Sequence, residues 1–424
     1  MKPSMTIQCA QCATVFPDTI ASALCPTCDG SLFAIPASPP ARGPALAQLF
    51  DSRVNPHALR GTAIEQSGVW RFRELVLPGA ESAVVSIPEG NTPLIQSGAI
   101  AKFAGVDALV LKHEGMNPTG SFKDRGMTVA LTQARRIGAT AVACASTGNT
   151  SSSMAAYAAH AGIPAIVLVP KGKVAMGKLA QTIAYGARVL LVNGDFDDCL
   201  RLAREASRSL GVYLVNSLNP FRIEGQKTIM FELLQQCGWN APDWIALPAG
   251  NLGNTAAFGK ALVEAKEFGL IDRLPRLLCV QAAGAAPFAR GFDEGFATRH
   301  RVKAETIASA IRIGDPASWD RAVAAIRSTN GVVVSLDDGR LLEAKSEIDR
   351  AGVGCEIASA ASVAGVREGA RRGIIGQSER VIAILTGHLL KDPVASDARD
   401  TTQRPEEVEP SLASITKVLS HPRG

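Results

Sequence analysis

Residues 112–126 read KHEGMNPTGSFKDRG. A short apolar strand, ALVLKHEG, runs into this stretch, and a helix-like run, MTVALTQARR, leaves it. Lys123 stands between them, behind a Pro-Thr-Gly-Ser turn and just inside the helix start. The pattern then repeats. AVACASTGNT is a strand ending in a turn, SSSMAAYAAHAG a helix, PAIVLVP a strand and VAMGKLAQTIAYG a helix. ARVLLVNG (strand), DFDDCLRLAREASRSLG (helix) and VYLVNS (strand) follow, then a helix at 224–237, strand DWIALPA, loop GNLGN and helix TAAFGKALVEAKEFG. Strands RLLCVQAAG, GVVVSL and VIAILTG, with helices between them, complete the series. Short apolar strands alternating with helices are the signature of a parallel sheet covered on both faces. Upstream, VVSIPEGNTPLIQ reads as strand on both sides of a Glu89-Gly90-Asn91 turn. No internal repeat of fixed period is present.

The chain has 424 residues, 46% of them hydrophobic and 20% charged, with a net charge of +5. At roughly 100–200 residues per domain, two or three domains are expected. No Lys/Arg block is interleaved with aromatics, which speaks against nucleic-acid binding. The N-terminus lacks the apolar core of a secretory signal, and no apolar run is long enough to span a membrane. A soluble cytoplasmic protein is the expectation. The nine cysteines, an odd number, argue against a disulfide framework. Five of them, scattered from Cys144 to Cys355, read as inert buried thiols.

The other four, Cys9, Cys12, Cys25 and Cys28, form two Cys-x2-Cys knuckles. Such a pair can set four thiolates tetrahedrally around a structural zinc ion and leaves no open position for catalysis. So short a segment cannot fold on a core of its own, which favours a metal staple. The knuckles also read as a degenerate pair without metal. CAQCAT lacks the glycine usual after a knuckle. A Pro-rich linker, PASPPARGP, and an amphipathic GVWRFRELVLP follow.

Four loops sit at the C-terminal ends of strands, the edge where open α/β sheets bind ligands. In PTGSFKDRG, desolvation or cationic neighbours would make Lys123 a Schiff-base nucleophile; the loop also reads as a solvated helix start. In STGNT (146–150), hydroxyls and backbone N–H groups at a helix start make an anion site, or an ordinary N-cap turn. PAGNLGN (248–254) is a glycine-rich turn into a helix, suited to a phosphate, without the Lys-Ser/Thr of a nucleotide-triphosphate loop. In LTGHLLKDP (385–393), Thr386 can bond a ring nitrogen, and His388 reads as a second candidate or a structural histidine.

These loops, with EGNTPL (89–94), NPTGSFKDRG (117–126), STGNTSSSMAAYAA (146–159), GKLAQTIAYGA (177–187), NSLNPFRIEGQKT (216–228), IASAIRIGDP (307–316) and GCEIASAASVAG (354–365), together resemble the threonine synthases. These are pyridoxal-phosphate (PLP) enzymes of the tryptophan-synthase-β-like fold, fold type II. The resemblance covers nearly the whole chain. It implies an α/β protein with two parallel-type α/β domains and the active site between them, preceded by a small zinc-ribbon-like segment. Residues 1–35 would be the ribbon and 36–85 a linker and packing segment. Residues 86–140 and 219–424 would form the large PLP-binding domain, and 141–218 a small mobile one.

By the same resemblance, Lys123 carries PLP and Phe122 packs near the ring. Asn149 bonds the 3′ oxygen, and Gly250, Asn251, Leu252, Gly253 and Asn254 cradle the PLP phosphate. Thr386 meets the pyridine nitrogen, a neutral hydroxyl that leaves it largely unprotonated. Ser146, Thr150, Lys178, Asn216 and Arg222 hold the substrate phosphate, Arg222 foremost because a guanidinium matches phosphate bidentately. The implied reaction converts O-phospho-L-homoserine and water to L-threonine and phosphate by γ-elimination and β-addition of water, with Lys123 as base. The alternative is another reaction on the same scaffold, cysteate synthase or threonine/serine dehydratase. A reading from a different class, a ribbon-based binding protein with an inactive body, conflicts with the intact Lys123–Asn149–Gly250–Thr386 set. The family suggests a monomer or homodimer. GCEIASA departs from the family's usual pattern in carrying isoleucine where proline is expected.

Overall fold

The apolar runs flanking Lys123 lie within two sheets in a computed structural model of the chain, which describes residues 5–36, 38–54, 63–172, 176–392 and 407–420. In chain order the strands are β1 Met5–Cys9, β2 Val15–Pro17, β3 Leu32–Pro36, β4 Leu94–Gln96, β5 Leu109–His113, β6 Ala141–Ala145, β7 Ala165–Pro170, β8 Arg188–Val192, β9 Val212–Leu214, β10 Trp244–Pro248, β11 Arg276–Ala282, β12 Val332–Leu336 and β13 Val381–Leu385. A six-stranded sheet has the order β12-β11-β10-β13-β5-β4, and a four-stranded sheet the order β8-β7-β6-β9. All neighbours in both are parallel except β4 and β5. Every residue of β6, β10 and β13 is buried. These strands therefore read as continuous apolar runs, not alternating ones, because both faces are covered.

Two sequence readings need correction. Residues 84–88 form no strand; only Leu94–Gln96 does, and it pairs antiparallel. The backbone of Val84 and Val85 is satisfied by side chains of helix Lys123–Arg136 instead: Thr132 accepts from the Val85 N–H, Thr128 donates to the Val85 carbonyl, and Arg135 donates to that of Val84. The helix expected at 224–237 is two, Pro220–Gln226 and Thr228–Gln236, divided at Lys227. Lys227 is buried and bonded to Glu224 and Glu264 at 2.6 and 2.8 Å.

The N-terminal segment is an antiparallel sheet of order β2-β1-β3. Its buried face, including Met5, Ile7, Leu32 and Ala34, joins the main core. Lys260 donates to the Ala34 carbonyl and Gln133 to that of Asp18, both at 2.7 Å. GVWRFRELVLP packs where its apolar face predicts: Trp70 is fully buried and donates its indole N–H to Thr128 at 2.8 Å. Residues Met1–Lys391 form one unit and Asp392–Gly424 another; within the second, Leu412–Leu419 is a helix.

A buried ionic frame lies under the Lys123 helix. Glu232 receives Arg125, Lys112 and Arg71 at 2.8, 2.6 and 2.8 Å, and Arg125 also grips Glu114 at 2.7 Å. Burial alone would raise the Glu232 carboxyl, but the three cations hold it well below the usual carboxylate range. Its oxygens also take the N–H groups of Asn91 and Thr92, which pins EGNTPL to the frame.

Candidate active site

Strands β10, β13 and β5 are neighbours, so three of the four loops leave one sheet edge side by side. The fourth leaves β6 in the other sheet. The Lys123 and Thr386 loops are stitched together: the Phe122 N–H donates to the Thr386 carbonyl at 3.0 Å, and the His388 N–H to that of Gly120 at 2.9 Å. The sheets meet where Lys391 donates to Gln181 at 2.6 Å and to Ser152 at 3.2 Å.

Lys123 is the first residue of its helix. The other ionised groups of KHEGMNPTGSFKDRG have partners: Lys112 and Arg125 in the ionic frame, Glu114 on Arg125, and Asp124 on Thr119 and Ser153. Among the described residues the Lys123 ammonium has no hydrogen-bond acceptor, and it lies 4.2 Å from the centre of the Phe122 ring. Burial, and then the charge of Arg222, pull its pKa down to about 7, with Glu356 opposing them. That makes it a serviceable nucleophile near neutrality.

Arg222 arrives through a close helix crossing. A Cβ on Gly126 would sit 2.9 Å from the Arg222 carbonyl, and one on Gly225 would strike the Arg125 carbonyl. Only glycines let Lys123–Arg136 and Pro220–Gln226 touch backbone to backbone here. The Arg222 guanidinium is fully buried. Its Nη1 donates to the Val215 carbonyl at 3.2 Å, whereas Nε and Nη2 have no partner among the described residues. Buried donors of this kind normally have an acceptor, so this one is shaped for an anion. Burial lowers its pKa to about 10.

The remaining predicted residues fall into two groups. Asn149 begins helix Asn149–Ala161 and donates its amide to Glu356 Oε2 at 2.9 Å. Ser146 and Thr150 lie in the same turn, partly exposed. Thr386, 4% exposed, bonds Ser359 and Glu356. Residues 250–254 turn into helix Gly253–Glu267 with Leu252 in the left-handed conformation at φ 62°. A Cβ on Gly250 would meet Ile311 Cα at 2.9 Å, so the loop is tight-packed. The N–H groups of the helix's first turn point out of it, as an anion cradle requires.

Three asparagines serve as staples in this structure. Asn216 exchanges hydrogen bonds with the backbone of Ala145 at 3.1 and 3.0 Å. Asn251 bonds Ser217 and the Ala317 N–H. Asn254 accepts from Gln226. The side chain of Lys178 lies outside the described residues. His388 takes the Leu390 N–H on Nδ1, forming its own turn. Glu356, bonded to both Asn149 and Thr386, was missed. A lone glutamate before an apolar helix in GCEIASAASVAG was the available signal.

The four N-terminal cysteines converge, with all sulfurs within 4.8 Å of one another. Cys9–Cys28 and Cys12–Cys25 separations are 3.5 and 3.6 Å. Four sulfurs at about 2.3 Å from one zinc would be about 3.8 Å apart, so the donor set fits. Ala13 and Asp29, one after each knuckle, have φ of 59° and 58°. That left-handed turn is why glycine is common there.

The donors at the sheet edge suit PLP: an unpartnered lysine with a lowered pKa, an anion cradle at a helix start, and a hydroxyl beyond a buried strand. A family model described as pyridoxal-phosphate dependent enzyme matches residues 85–387. The threonine synthase of Methanosarcina acetivorans is 46% identical over 357 residues, 84% of this chain and 87% of that protein. Those of Synechocystis sp. and Mycobacterium tuberculosis are 46% and 47% identical, over 84% and 82% of this chain and 92% and 94% of theirs. The solved threonine synthase of Escherichia coli shares the fold with a TM-score of 0.69 at 17% identity, over 92% of this chain and 90% of that one. Maize serine racemase shares it with a TM-score of 0.63 at 21% identity, over 76% and 92%. Fold type II is therefore the fold, and the chain belongs to the threonine synthase family of pyridoxal-phosphate-dependent enzymes.

Proposed function

We infer that this protein converts O-phospho-L-homoserine and water to L-threonine and phosphate. The observation that carries the substrate class is Arg222, a buried guanidinium with two unpartnered nitrogens, close enough to Lys123 to lower its proton affinity. Dehydratase substrates bring no phosphate to satisfy it. Lys123 is the group that would hold PLP, with Phe122 beside it. Residues 250–254 would take the PLP phosphate through backbone N–H groups, since the Asn251 and Asn254 side chains are engaged elsewhere. PLP, when bound, supplies the electron sink for carbanion chemistry at the substrate's α and β carbons.

The chain's own residues do the rest. Lys123, with a pKa near neutrality, takes the α proton and later a β proton. Arg222, with Ser146 and Thr150, holds the phosphate as it leaves the γ carbon. Asn216 acts one step back, by fixing Ala145 and hence the Ser146 turn. Residues 141–218 close over the substrate as a mobile lobe and exclude stray water. The four N-terminal cysteines hold structural zinc. Following phosphate and threonine from O-phospho-L-homoserine tests the reading; phosphate release without threonine would sink it. Lys123→Ala should abolish both products.

A further inference from the structure

Helix Met176–Ala184 lies in the stretch 141–218 and carries Lys178, one of the residues that the family resemblance assigns to the substrate phosphate. Its buried residues Leu179 and Thr182 are three apart, on one face. Thr182 bonds Ser151 of helix Asn149–Ala161 at 3.2 Å. Among the described residues, the hydrogen bonds that tie helix Met176–Ala184 to the loops of the six-stranded sheet all run through Gln181. Its amide donates to the Thr119 carbonyl at 3.3 Å, and its Oε1 accepts from the Lys391 ammonium at 2.6 Å. Helix Asn149–Ala161 has ties of its own: Ser153 donates to Asp124 at 2.5 Å and Tyr157 to Glu89 at 2.8 Å. The two helices are therefore held by different groups.

Lys391 is fixed at its base. Its N–H donates to the His388 carbonyl at 3.0 Å, and the His388 N–H to that of Gly120 in the Lys123 turn. Its stem crosses Gly120, where a Cβ would lie 3.0 Å from Lys391 Cε. Gly120 has φ 84°, a conformation that favours glycine, so the turn is bare where the lysine passes over it. The ammonium is half-buried, and its acceptors among the described residues, Gln181 and Ser152, are neutral. Burial lowers its pKa from the ordinary lysine value, with Asp124 and Glu356 opposing. A hydrogen bond from a cation is stronger than one between neutral groups.

We propose that Lys391 is a positioning residue that, through Gln181, holds helix Met176–Ala184 over the Lys123 turn and so sets the substrate-phosphate side of the site against Lys123. This rests on the reading that residues 141–218 close over a phosphorylated substrate. Lys391 touches no reacting atom in this role. The role needs reach and more than one donor: a four-carbon stem crosses the turn, and one ammonium serves acceptors on two helices at once.

The test compares the full-length, PLP-loaded wild type with Lys391→Met, Gln181→Leu and the double variant. Lys391→Met should raise KM for O-phospho-L-homoserine by about 10–100-fold, the span of one hydrogen bond to a charged group. kcat should change far less, because the groups that act on seated substrate are intact. Gln181→Leu should do the same, and the double variant should be no worse than either, since both cut one link. Amide hydrogen exchange in the substrate-free holoenzyme should speed up over Met176–Ala184 in Lys391→Met and stay unchanged over Asn149–Ala161. An unmoved KM overturns the proposal, as do additive effects of the two variants. Exchange that rises equally in both helices, or loss of the visible cofactor band, would mark Lys391 as a general structural residue and overturns it too. Should Lys391→Met fail to fold, Gln181→Leu carries both readouts. A wild type that makes no threonine from O-phospho-L-homoserine fails the underlying reading; an active wild type whose KM neither variant moves fails this proposal alone.

Discussion

Replacing Arg222 by methionine should move activity and stability in opposite directions. The guanidinium is fully buried, with one hydrogen bond to Val215 and two nitrogens unpartnered. Hydrogen bonds to charged groups are worth about 1.5–3 kcal/mol each. Two of them to a substrate phosphate amount to about 3–6 kcal/mol, or ~10²–10⁴ in kcat/KM, since each ~1.4 kcal/mol is tenfold. Without substrate the same donors are a burden: an unsatisfied buried group costs about 1–3 kcal/mol. Arg222→Met removes that burden and loses about 1 kcal/mol for the Val215 contact. The substrate-free holoenzyme should therefore gain up to about 2 kcal/mol on the same grounds. Steady-state phosphate release and thermal unfolding measure the two halves. Added phosphate should raise the melting temperature of the wild type and leave that of the variant unmoved. A variant that is both less active and less stable, with phosphate stabilising both forms equally, would show Arg222 to be a structural residue.

Three further outcomes are expected. Between about pH 7 and the ordinary lysine value near 10.4, folded Lys123 binds fewer protons than unfolded Lys123, because burial and then Arg222 depress its pKa to about 7. The unfolded state then binds more protons, so the stability of cofactor-free enzyme should rise with pH across this window. Lys123→Met should flatten the rise in pH-dependent urea unfolding. Zinc measured by atomic absorption should be close to one per chain and fall in Cys9→Ser and Cys25→Ser. Chelation should melt the N-terminal sheet while the visible cofactor band persists, because the site at Lys123 is built from other elements. Ala13→Gly should stabilise the ribbon by ~0.5 kcal/mol: relief of roughly 1–2 kcal/mol of left-handed strain is partly offset by ~0.5–1 kcal/mol of chain entropy. Zinc affinity by competition with a chelator is the readout.

Much of the fold was legible because its signals are local. Runs such as AVACA and VIAIL are buried on both faces, and only a covered parallel sheet asks for that. The strand misread at 84–88 failed for a tertiary reason: its backbone bonds go to threonine and arginine side chains of a helix more than 40 residues away. Asn216 and Asn251 show the limit of reading roles from motifs. Residue type and loop placed them at the site, yet their amides are spent on Ala145, Ser217 and Ala317.

KHEGMNPTGSFKDRG by itself determined a strand, a turn and a helix start with a lysine at its head. It also contained the charges that would be silenced, but not which ones. Only the tertiary structure decided that Lys112, Glu114 and Arg125 close into a frame with Glu232, and that Lys123 is left without an acceptor among the described residues, beside a buried Arg222. The physical reason is that a lysine's reactivity depends on desolvation and on charges brought from elsewhere in the chain. Both are properties of packing, and the residues beside Lys123 in sequence do not encode them.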